Sequence, residues 1–155
     1  MRTSEKGESV VDFEHLEKNL EEYARDYEAG EPFEHIVIDD FLTEAGLGSL
    51  KTFDLNRTVP FKTLSSDYLF AKKKYENPSF QDVNSGLLQL KKDLLSKRFE
   101  RFLGHITGKP VFIDKNFVGG GLHQGGEGSY LDMHADFNYH PSHSNWIREL
   151  NLLLY

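Results

Sequence analysis

Val83, Leu87, Leu90, Leu94, Phe99, Phe102 and Ile106 recur every three to five residues, the clearest apolar stripe in the chain. That spacing predicts a long helix with one buried face. Gly108 and Pro110 end it: one frees the backbone, the other cannot continue a helix. Beyond Pro110 the period changes. VFID, FVGGGLHQ, GSYLDMHAD and RELNLLLY read as short strands joined by Gly-rich or polar turns. Helices followed by a run of strands is an α+β order, with the helical stripe packed on a β-sandwich or barrel at the C-terminal side.

The N-terminal third fits this order. Residues 1–8 are polar and read as a disordered tail, leaving 9–155 as a single domain. Ser9 and Asp12 resemble a capping box for a helix carrying Phe13, Leu16, Leu20, Tyr23 and Tyr27, which Gly30 and Pro32 end. Ile36, Val37 and Ile38 read as a strand, and Thr43 caps a short helix through about Phe53. Residues 55–79 read as short strands and loops. A net charge of −7 argues against a nucleic-acid partner, and Lys72, Lys73 and Lys74 read as a solvated loop or strand edge. The absence of cysteine excludes a disulfide scaffold, a zinc ribbon, an iron–sulfur cluster and a cysteine nucleophile, and fits a cytoplasmic protein. The first residues lack the apolar core of a secretory signal, and no apolar run reaches membrane-spanning length.

HADFNYHPSH, residues 134–143, carries the chemistry. On a strand, His134 and Asp136 share one face about 6–7 Å apart. An imidazole and a carboxylate at that spacing converge on one ion, and nitrogen and oxygen donors without sulfur suit Fe(II), Mn(II) or Zn(II). On the same strand Tyr130 and Asp132 join the ligand face, while Leu131 and Met133 pack opposite. Alone, an HxD pair is weakly specific, because most such pairs are surface residues. His140 and His143 would complete a compact zinc site with His134 and Asp136. Pro141 and the polar SHSN stretch instead place both in a loop, at most at the mouth of a site. His123 is a further inward candidate; the QGGEG beside it reads as a flexible hairpin connection, and no phosphate-loop pattern is present.

The ordered set PFEHIVIDDFL, LGHITGKP, GGGLHQGGEGSYLDMHADFNYHP and RELNLLLY resembles the Fe(II)/2-oxoglutarate-dependent dioxygenases, closest to their prolyl 4-hydroxylase-like branch. The resemblance spans most of the chain from about residue 31. It implies N-terminal helices on a double-stranded β-helix, a jelly-roll relative. It implies iron held by His134 and Asp136 and a distal His. It places Tyr155 at the distal carboxylate of 2-oxoglutarate, with Asn151 on the same strand face and His123 near the co-substrate. The implied reaction decarboxylates 2-oxoglutarate to succinate and carbon dioxide and hydroxylates an unactivated C–H bond, with ascorbate as an auxiliary reductant. A carboxylate at Asp136 favours hydroxylation over halogenation. The implied substrate is a prolyl residue in a peptide or protein, with free amino acids and other small molecules open. The distal His and the basic residue that pairs with 2-oxoglutarate do not occur in the chain. Its last strand stops at Tyr155, so it reads as truncated, with weak iron binding and little turnover expected. The alternatives are a non-catalytic β-sandwich binding module with an incidental HxD, and the local zinc site.

Overall fold

The computed structural model describes residues 8–51, 62–63, 71–78, 80 and 83–155. These residues form an α+β protein with five helices and two small antiparallel sheets, neither closed. They divide into two compact units. The first comprises the described residues up to Lys51 and Phe80 to Lys115; the second comprises those between 62 and 78 and Asn116 to Tyr155. The tail expected over residues 1–8 lies outside the described residues except for Glu8, as do the expected helix end at Phe53 and much of 55–79. No helix among the described residues is long and apolar enough to cross a membrane.

The first unit is helical: α1 (Phe13–Lys18), α2 (Leu20–Glu28), α3 (Glu44–Lys51), α4 (Ser85–Leu94) and α5 (Lys97–Thr107). The apolar stripe is buried as expected at Leu87, Leu90, Leu94, Phe99, Phe102 and Ile106, but it is shared by two helices. Ser96 breaks it: its backbone is extended (ψ 149°), and its Oγ accepts the Phe99 N–H at 3.2 Å to cap α5. Within the first unit the stripe packs on other helices. Phe99 is fully buried, its ring edge-on to Phe13 and Phe41 and stacked with Phe102. Gly108 ends α5 in the left-handed conformation (φ 64°), where a Cβ would be strained. Asn84 caps α4 through Leu87 N and donates its amide to Ser49 O, tying α4 to α3.

Three local expectations change. Ser9 does not cap α1; Asp12 does, accepting from His15 N at 2.9 Å, while Ser9 Oγ donates to the buried carboxylate of Asp93. The first helix splits at Asn19, whose backbone leaves helical geometry. Residues 36–38 and 111–114 join no ladder, and Val37 is exposed. A short apolar run is not sufficient for a strand; a neighbouring strand must accept the backbone bonds.

The second unit holds β1 (Lys62–Thr63), β2 (Ala71–Asn77) and β3 (Leu122–Leu131) in the order β1-β2-β3, and a separate hairpin, β4 (Tyr139–His140) with β5 (His143–Ile147). Lys72 and Lys73 are solvated, though on the middle strand. QGGEG is not a hairpin connection. It lies inside β3, where two residues along β2 (Lys72 to Lys74) match five along β3 (Tyr130 to Gly125). The glycines let β3 bulge without losing its partner, and Lys73 Nζ donates to Glu127 O across the irregularity at 2.9 Å.

Candidate functional site

The HxD pair sits just past the end of β3 in an extended segment without a ladder. The expected strand stops at Leu131, and Met133 is exposed instead of packed. Asp132 organises the exit: its Oδ1 accepts from Met133 N at 2.8 Å, and its carbonyl lies 2.8 Å from His134 Nδ1. A carbonyl can only accept, so His134 Nδ1 carries the hydrogen. Nε2 then faces Asp136 Oδ1 at 3.5 Å. In a neutral ring that nitrogen is an acceptor, so it and the carboxylate oxygen can share a proton or a cation between them.

The other carboxylate oxygen faces a separate cation, in an ion pair without hydrogen-bond geometry. Arg148 Nη1 lies 3.1 Å from Asp136 Oδ2. The hairpin explains this approach: Arg148 N donates to Asn138 O at 2.8 Å, so the chain returns from β5 alongside residues 136–138. The Arg148 guanidinium lies over the Phe137 ring, 5.0 Å from its centre, and Nη2 lies 3.3 Å from Asn151 Oδ1. Phe137 is itself set against Gly119, where an added Cβ would fall 2.7 Å from Cε1. Gly119 (φ 74°) is thus required both by its backbone and by the ring.

His140 and His143 are not in a loop. They form the pair that closes the β4–β5 hairpin. His140 is buried; its Nδ1 accepts from Ser142 N at 3.1 Å, and its ring meets His143, Trp146 and Phe137. His143 stacks on Trp146 at 4.0 Å. Among the described residues no three His, Asp or Glu side chains form a group poised to hold a metal. His123 is the second residue of β3, opposite Glu76, with Nε2 3.8 Å from Oε1. Residues 148–155 form no ladder, and Tyr155 is fully exposed, so no pocket encloses it.

The donors present fit one side of an iron site. Nitrogen and carboxylate oxygen suit a first-row divalent ion, and a ligating imidazole characteristically donates its other N–H to a carbonyl or carboxylate, as Nδ1 does here. Arg148, Phe137 and Gly119 were not singled out by sequence reasoning. Their relation to Asp136 depends on hairpin register, and the only local signal was an Arg opening RELNLLLY. No family model matches the chain, and no curated protein or solved structure is significantly similar to it.

Proposed function

We propose that the protein is an Fe(II)- and 2-oxoglutarate-dependent dioxygenase of the prolyl 4-hydroxylase-like kind, with unit two forming part of a double-stranded β-helix. The observation that carries this reading is the tethered imidazole: His134 is held by Asp132 so that Nε2 faces Asp136 Oδ1 at 3.5 Å. In this reading His134 Nε2 and Asp136 Oδ1 hold iron. With iron and 2-oxoglutarate bound, the available chemistry is oxidative decarboxylation to succinate and carbon dioxide, coupled to hydroxylation of an unactivated C–H bond.

The chain's part is to orient. Asp132 fixes the imidazole tautomer, and the hairpin fixes the carboxylate. Of the residues assigned to the co-substrate, Asn151 contacts Arg148; the assignments of Tyr155 and His123 rest on resemblance alone. A prolyl residue in a peptide is the proposed substrate, with ascorbate as auxiliary reductant.

NMR of the full-length protein with Fe(II), oxygen and 2-oxoglutarate tests this. Succinate should form, and His134→Ala and Asp136→Ala should each reduce it to the level of iron alone. Equal conversion by either variant rejects the assignment. The Arg148 contact favours one other reading, a plain ion-pair network in a non-catalytic β-sandwich module; that reading predicts no protein-dependent succinate.

A further inference from the structure

The two oxygens of Asp136 face different partners: Oδ1 faces His134 Nε2 at 3.5 Å, and Oδ2 faces Arg148 Nη1 at 3.1 Å. We infer that Arg148 is a positioning residue that holds the Asp136 carboxylate by one oxygen and so presents the other to a divalent cation beside His134. The inference rests on the proposed metal site and goes beyond it. A free carboxylate on an extended segment rotates about its side-chain bonds and has no reason to offer a single oxygen. Three features stop that rotation by fixing the guanidinium. Arg148 is pinned by its backbone bond to Asn138, by the Phe137 face and by Asn151. Its side chain is only 22% exposed, against 44% for Asp136. Thus the better-buried partner is the anchor and the more open one is the ligand.

A guanidinium near a metal also repels it. Here it contacts Oδ2 and not the Oδ1 paired with His134 Nε2, and the half-exposed carboxylate leaves solvent and salt to screen the repulsion. Outer partners of ligating groups characteristically strengthen metal binding about 10–100-fold. The positioning effect is therefore expected to win.

The experiment is Mn(II) binding to the full-length protein, followed by electron paramagnetic resonance at physiological salt, with unfolding curves of the metal-free proteins. Arg148→Gln should weaken Mn(II) binding about tenfold or more. Arg148→Lys should recover most of the loss, because a single nitrogen contacts Oδ2 and a point charge suffices there. Asp136→Ala should abolish binding. If Arg148→Gln binds Mn(II) as tightly as the parent, or tighter, the positioning role is wrong while the metal site stands. Should Arg148→Gln fail to fold, Arg148→Lys decides alone: near-parental binding supports the role, and a tenfold loss in a folded protein overturns it. A parent protein that binds no Mn(II), or an Asp136→Ala variant that binds it unchanged, removes the metal site and this inference with it.

Discussion

Asp93 ties residues 9–11 to α4 in the first unit. Its buried carboxylate accepts four hydrogen bonds: from Ser9 Oγ, Val10 N, Val11 N and Gln89 Nε2. Removing it strands buried backbone donors, each costing about 1–3 kcal/mol. Asp93→Ala should therefore destabilise the protein by about 3 kcal/mol in urea unfolding, with Asp93→Asn in between because its carbonyl still accepts. A loss under about 1 kcal/mol for the alanine variant would contradict this role. Little of it was legible in sequence, because three of the four donors lie more than eighty residues from Asp93 and the carboxylate sits on what periodicity marks as an ordinary helix. HxD was legible because its two side chains are neighbours in any extended segment. Arg148, twelve positions beyond Asp136, becomes its neighbour only through the hairpin.

At the scale of elements, helices were read better than strands. Helical spacing reports a buried face directly, and the large buried apolar side chains of α4 and α5 are those of the stripe. The break at Ser96 escaped because one extended residue shifts the period too little to notice. Strands depend on partners that the local sequence does not contain, which is why residues 36–38, 111–114 and 148–155 carry strand patterns without ladders. Between α1 and α5, Arg98 donates from Nε and Nη2 to the two oxygens of Glu17, each at 2.6 Å, and also covers the Phe13 ring. The hydrogen bond from Arg98 holds the Glu17 carboxyl below its ordinary value. A lowered folded-state pKa stabilises above the ordinary glutamate range, and the contribution fades as pH falls through the lowered value. Both side chains are nearly half exposed, so the pair contributes at most about 1 kcal/mol. Glu17→Gln should cost up to that amount at neutral pH and nothing in acid, below the lowered Glu17 value. A pH-independent difference in chemical unfolding would contradict it.

Across the whole molecule, apolar burial is uneven. Of the twelve buried apolar residues among the described residues, eleven belong to the first unit; Ala71 is the exception. The second unit instead leaves Met133, Tyr139, Ile147 and Leu152 to Tyr155 exposed, while its polar groups gather around Asp136. The helical unit is where composition and periodicity came closest to the structure, with the breaks at Asn19 and Ser96 and the false strands at 36–38 and 111–114 as its misreadings. The candidate chemistry lies in the unit where they fell further short, because tethers, register and a single glycine contact decide the geometry there. The central claim is that His134 and Asp136 hold iron for 2-oxoglutarate chemistry. Its most direct test is the visible spectrum of the full-length protein titrated anaerobically with Fe(II) and 2-oxoglutarate. A weak charge-transfer band that needs both additions, and that disappears in His134→Ala and in Asp136→Ala, is the expected result. A folded protein without the band, or a band that survives either substitution, would contradict the claim.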